Sequence, residues 1–191
     1  MRILLLGPQG SGKGTQAERI ARTYGIPHIA TGDMLRAAMA AGTELGRRVK
    51  PIYDAGELVP DDLMIELIRE RLSEPDAEEG LVLDGFPRTP EQAEALDDML
   101  LEIGRPLDVV FDLQIDEPTA VERLLGRARD EGRTDDTPEA IATRLELFRK
   151  KTLPVIEHYR AQGKVVGIHA AGTVNEVFNE IQETLEQVAA R

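Results

Sequence analysis

Apolar residues in this chain fall into short runs separated by longer amphipathic stretches. Residues 3–6, 81–83, 109–111 and 165–166 are each too short for a helix and are bounded by Gly or Asp, which predicts buried strands. Residues 28–30 are a fifth candidate. Between the runs, apolar residues recur at helical spacing; Val174, Val177, Phe178, Ile181, Leu185 and Val188 form one such stripe. Strands that are apolar at every position have no solvated face. Alternation with helices therefore predicts an α/β fold: a five-stranded parallel sheet with helices on both faces. Ligands of such sheets sit beyond the carboxyl ends of the strands.

Two stretches interrupt the alternation. Residues 31–73 carry several helical patterns and no strong strand, which predicts a helical insertion. Residues 130–137 are polar and lack apolar periodicity, which predicts a short exposed loop. Thr137, Pro138 and Glu139 then start a new helix, with a capping hydroxyl and a proline at the first helical position. Both interruptions are the kind of segment from which lids are made. The remainder, residues 1–30, 74–129 and 138–191, is the core of a single domain.

Composition narrows the function. With 41% apolar and 30% charged residues, the 191-residue chain is globular rather than disordered. Its net charge of −12 disfavours nucleic acid and anionic membrane as partners. There is no cysteine, which removes disulfides, thiolate catalysis and sulfur-ligated metal. The apolar run 3–6 stops at Gly7, too short for a leader or a membrane span, so a cytoplasmic location is expected.

The chemistry enters directly after the first strand. Gly7, Gly12 and Lys13 have the spacing of a phosphate-binding loop, G-x-x-x-x-G-K. Glycines let backbone N–H groups turn around phosphate oxygens, the following helix offers its positive end, and the lysine reaches the terminal phosphates. A dinucleotide fingerprint does not fit, because its final glycine would fall at Thr15. The hydroxyl usual after the lysine is displaced by one residue, with Gly14 next and Thr15 after it.

That ending, Lys13-Gly14-Thr15-Gln16, and four later motifs in order make the chain resemble the adenylate kinase family. The later motifs are Thr31-Gly32-Asp33-Met34-Leu35-Arg36, Gly56-Glu57-Leu58-Val59-Pro60-Asp61, Asp84-Gly85-Phe86-Pro87-Arg88-Thr89 and Gly132-Arg133-Thr134-Asp135-Asp136. The resemblance implies the short-lid form of this group of P-loop kinases, with 31–73 as the AMP-binding insertion and 130–137 as the lid. It places ATP on Gly10, Ser11, Gly12, Lys13, Gly14 and Thr15, on Arg123 and Arg127, and on the backbone of Gly172. It places AMP on Thr31, Arg36, the backbone of Glu57, Leu58 and Val59, the loop Gly85, Phe86, Pro87 and Arg88, and Gln92. Arg88, Arg133 and Arg144 would attend the phosphates in transfer, together with Lys13, Arg123 and Arg127. Asp84, at a strand end, would hold Mg²⁺ through water beside those phosphates. No structural zinc is expected, and a monomer with ATP, AMP and ADP as partners is implied.

Several of these residues also have plainer readings. Thr31 can cap a helix, Thr89 and Gln92 form a Thr-x-x-Gln capping box, and Thr173 and Glu176 form another. The histidines His28, His158 and His169 lie outside every motif and read as structural or surface residues. An alcohol acceptor would require a positioned base such as a His-Arg-Asp motif, which is absent; a monophosphate acceptor requires only positioning and charge neutralisation. A UMP/CMP kinase is the alternative within enzymes, although Thr31 and Gln92 resemble the adenylate type. A non-catalytic nucleotide-binding module is the alternative outside them, disfavoured by the intact set of arginines.

Overall fold

The computed structural model describes every residue except Glu131, Thr134 and Arg191. Strands β1 (Arg2–Leu6), β2 (His28–Ala30), β3 (Leu81–Asp84), β4 (Val109–Gln114) and β5 (Val165–His169) form one sheet in the order β2-β3-β1-β4-β5. Every pairing is parallel. β1 lies in the middle because its run is fully buried, with Ile3, Leu4 and Leu5 at 0% exposure. Successive side chains point to opposite faces. Leu4 and Leu6 join Leu83 and Val110 in one hydrophobic cluster, whereas Ile3 and Leu5 join Val82 and Phe111 in another. This is why the strand sequences show no polar alternation.

Helices α1 (Lys13–Tyr24) and α9 (Val174–Ala189) cover the second face. Ala17 and Ile20 from α1 meet Val177, Phe178, Ile181 and Leu185 from α9. The C-terminal stripe packs as its periodicity predicts from Val177 to the half-buried Val188, whereas Val174 is 48% exposed. Val174 is the first helical residue, where the helix has not yet reached the sheet. The other face is covered by α5 (Pro90–Glu102) and α8 (Leu153–Ala161), through Leu96, Met99, Val155 and Tyr159.

The segment 31–73 is helical as expected, folding into α2 (Thr31–Ala40), α3 (Glu44–Asp54) and α4 (Asp61–Leu72). Its apolar residues Leu35, Val49, Met64 and Ile68 belong to the same cluster as Leu4 and Leu83. Between β4 and β5 come α6 (Glu117–Asp130) and α7 (Pro138–Leu147), the latter running through a π-helical turn at Phe148–Thr152 into α8. Ala120 and Leu124 of α6 pack on Ile141 and Leu145 of α7.

Helix starts follow local chemistry. The hydroxyls of Thr43, Thr89, Thr137 and Thr173 each accept a backbone N–H three residues on. Thr173 and Glu176 complete a capping box. Thr89 and Gln92 make half of one: Gln92 Oε1 accepts instead from the Arg88 N–H, at 2.7 Å. Thr31 makes no cap bond; its Oγ1 donates to the Asp84 carbonyl, at 3.4 Å.

Candidate active site

β1 delivers the chain into the phosphate loop at the point where the sheet order reverses, with β3 on one side and β4 on the other. Glycine conformations shape the loop, as two of its positions show. Gly12 has φ 88° and is the residue from which α1 starts. Gly10 has φ 85°, and a Cβ there would lie 2.6 Å from the Ala120 carbonyl oxygen. Ser11 Oγ is buried in the same loop with no hydrogen-bond partner among the described residues. The Lys13 ammonium donates to the carbonyls of Gly7 and Pro8, both at 2.8 Å. Carbonyls satisfy its protons without cancelling its charge. Burial accordingly pulls the lysine down to about 8, against which Asp84 acts and with which Arg88 and Arg127 act.

Asp84 ends β3 and faces this loop. Its Oδ2 would lie 3.6 Å from a Cβ on Gly14, so the missing side chain leaves the carboxylate open toward the phosphate side. Burial pushes its carboxyl up, but His28, Lys13 and Arg88 more than offset this and hold it below its ordinary value. His28 Nε2 stands 3.9 Å from Asp84 Oδ2, beyond hydrogen-bond reach. Of the histidines, all expected to be structural or surface residues, His28 lies on the cleft wall. β2 is hydrogen-bonded to β3 with Ala30 opposite Asp84, and that pairing brings the imidazole to the carboxylate.

The arginines converge from separate elements. Arg36 extends from α2 and donates to the Tyr53 hydroxyl and to Asp33. Arg88 Nε donates to the Gly85 carbonyl at 2.7 Å, and the Arg88 carbonyl accepts from Thr152 Oγ1 at 3.0 Å. Burial lowers the Arg88 guanidinium from its ordinary value. Arg123 of α6 donates to the Ala170 carbonyl at 3.0 Å and reaches Gly10 and Ala171 at 3.4 Å, so it ties the phosphate loop to the turn that holds Gly172.

Arg127 and Arg144 share one carboxylate. Asp136 receives Arg127 Nε and Nη2 at 2.8 and 2.9 Å and Arg144 Nη1 at 2.7 Å. Asp135 receives Arg144 Nη2 at 3.0 Å. The Asp136 side chain is 0% exposed and that of Asp135 11%. The expectation of an exposed loop over 130–137 is therefore wrong at its end. Asp135 and Asp136 turn inward because charged groups lose water only when paired, and these arginines supply the pairing. Glu131 and Thr134 of that segment lie outside the described residues.

These groups line one open cleft of about 720 Å³, a size suited to small-molecule ligands. The backbone from Gly10 to Thr15, Arg36, Glu57, Asp84, Gly85, Arg88, Arg123, Arg127, Arg133, Arg144 and Gly172 all lie on it. Seven basic side chains thus converge on one cleft of a protein whose net charge is −12. Leu58 and Pro87 line a recess continuous with Arg88 and Arg144. Val59, Phe86, Thr31 and Gln92 do not line the cleft; Phe86 is 0% exposed and Gln92 2%. Gln92 Nε2 donates to Asp61 Oδ1 at 2.7 Å, so its amide supports Arg88 from behind. Motif reading gave no role to Tyr53 or His28, or to the Asp135 and Asp136 side chains. Asp135 and Asp136 did stand inside a quoted motif beside an arginine; nothing local marked Tyr53.

Two comparisons bear on this arrangement. The model of the family described as "Adenylate kinase" matches residues 5–164. The chain is 48% identical over 190 residues to "Adenylate kinase" of Caulobacter vibrioides (strain NA1000 / CB15N), covering 100% of both proteins. It is 48% identical over 177 residues to "Adenylate kinase" of Stenotrophomonas maltophilia (strain K279a), covering 93% of this chain and 95% of that protein. Against "Adenylate kinase" of Xanthomonas euvesicatoria pv. vesicatoria (strain 85-10) the identity is 46% over 185 residues. With the matched region running from the phosphate-loop strand to the start of β5 and the relatives matched along nearly their whole length, the chain belongs to the adenylate kinase family.

Proposed function

We propose that the cationic cleft carries reversible phosphoryl transfer from MgATP to AMP, giving two ADP, in a protein that acts as a cytoplasmic monomer. The observation that carries this reading is the convergence of Lys13, Asp84 and the arginines of α2, α6 and α7 on one cleft at the carboxyl ends of the strands. A monophosphate acceptor is already anionic, so transfer needs alignment and charge stabilisation rather than proton removal. Lys13 and the loop N–H groups cradle the donor phosphates, and Arg123 and Arg127 flank them from α6. Arg36 holds the acceptor phosphate, and Arg88 stands between the two nucleotides. Arg133 and Arg144 neutralise the oxygens in transit.

A single ionised carboxylate suits Mg²⁺, which keeps most of its waters and takes further ligands from phosphates. Asp84 would hold that ion through water, and bound Mg²⁺ would neutralise charge on the transferring group. Among the described residues no cluster of metal-binding side chains is present, so the ion arrives with ATP in this reading. Segment 31–73 serves as the acceptor-binding insertion and 130–137 as the lid, with the base of AMP near Thr31 and Gln92. Gln92 is 2% exposed, so reading that base requires its amide to become accessible from the cleft.

A coupled assay with ATP and a panel of monophosphates tests the assignment. Loss of a base-edge hydrogen bond leaves polar groups unpaired, so kcat/KM for AMP should exceed that for UMP by at least ~10²-fold. Comparable values for the two would overturn the choice of acceptor.

A further inference from the structure

Tyr53 belongs to none of the motifs, yet it joins the arginines of the acceptor side. Its hydroxyl accepts a hydrogen bond from Arg36 Nη1. Its main-chain carbonyl accepts from Arg144 Nη2 at 3.3 Å, and the Arg144 guanidinium carbon lies 5.5 Å from the centre of its ring. Arg36 comes from α2, Tyr53 from the last turn of α3 and Arg144 from α7. One half-buried phenol on the cleft wall thus links the insertion to the helix that follows the lid segment.

The chemistry of a phenol suits this task. A carboxylate in its place would pair with the guanidinium charges and compete with a phosphate. Arg36 already meets one carboxylate, Asp33, and a neutral oxygen orients it without adding a second, while the ring face offers Arg144 a cation–π contact. An aliphatic side chain would do neither. A free arginine side chain carries substantial rotamer entropy, and fixing it beforehand removes that cost from the binding step.

We propose that Tyr53 is a positioning residue for the acceptor phosphate, presetting Arg36 through its hydroxyl and Arg144 through its ring. The inference rests on the phosphoryl-transfer reading above, so wild-type protein is first assayed with ATP and AMP. Tyr53→Phe removes the hydroxyl alone and should raise KM for AMP about three- to tenfold, with kcat and KM for ATP within about twofold. Tyr53→Leu removes the ring as well and should also lower kcat about threefold, through Arg144. In an Arg36→Ala background, Tyr53→Phe should change KM for AMP by less than about twofold, because the partner of its hydroxyl is gone. Active wild type with an unchanged KM for AMP in Tyr53→Phe would overturn the proposal. So would an equal rise in both KM values, or an undiminished effect in the Arg36→Ala background. Tyr53→Phe alone decides the matter if Tyr53→Leu does not fold. Wild type that fails to phosphorylate AMP would refute the transfer reading itself.

Discussion

The phosphate loop and the arginine pair beside residues 130–137 hold their cations in opposite ways. Lys13 is bonded to backbone carbonyls and, among the described residues, to no carboxylate; Asp84 acts on it only through space, and burial leaves its proton loosely held. Arg127 and Arg144 are clasped by Asp135 and Asp136, which take the positions on their N–H groups that phosphate oxygens would want. The first arrangement presents a preformed anion site. The second stores positive charge in neutralised form, and a ligand must compete with or share the aspartates. Solvation explains the contrast. A guanidinium stays charged at any ordinary pH and is costly to bury alone, whereas a lysine ammonium can lose its proton.

The largest effect should come from the cation held by carbonyls. Lys13→Ala should lower kcat by ~10²–10³-fold or more, since the ammonium meets charge that develops during transfer. Half the wild-type rate in a folded variant would exclude Lys13 from the chemistry and erase the contrast.

Next come the arginines to which the proposed mechanism assigns the moving charge. Arg88→Ala and Arg127→Ala should each depress kcat by ~10²-fold, and Arg88→Lys should recover little, because a single ammonium cannot make a planar two-pronged contact. Arg36→Ala should mainly raise KM for AMP, because its phosphate is anionic before and during transfer. Steady-state kinetics with both substrates varied separates these outcomes; the reverse pattern would refute the division of roles.

Breaking the clasp itself tests its structural half. Asp136→Ala leaves Arg127 and Arg144 without the carboxylate they share, and should cost about 2 kcal/mol of stability in denaturant unfolding. A variant as stable as wild type would mean that the pairing adds nothing to the fold.

A final test uses pH. In the proposed mechanism the ammonium form of Lys13 is the working one, and it dominates below about pH 8. It is lost as pH rises through that value, so kcat/KM should fall by ~10-fold per unit above it. Bound phosphates favour the charged form, so kcat should hold to higher pH. A kcat/KM profile flat to pH 10 would show that the loop keeps its proton far better than its burial implies.

Regions differ just as much in how far the sequence alone reveals them. The phosphate loop was legible because its chemistry is local. Glycine conformations, the strand before and the helix after are set by neighbours in the chain, and the spacing of Gly7, Gly12 and Lys13 records them. The strand runs were legible because burial on both faces removes polar residues from every position. Even residues 28–30, short and partly polar, proved to be a strand, since pairing with β3 completes what local propensity leaves open.

Tertiary packing decided the rest. His28 reaches Asp84 only through the register of β2 on β3, a pairing between residues far apart in the chain. Asp135 and Asp136 look like solvated loop residues until α6 and α7 bring Arg127 and Arg144 to them. Tyr53 reads as an ordinary half-buried helix residue, and its place between Arg36 and Arg144 depends on how α2, α3 and α7 assemble. The physical reason is common to all of these. Periodicity and turn chemistry are written over a few residues, whereas the partner of a buried charge is chosen by desolvation, which acts only once distant elements have met.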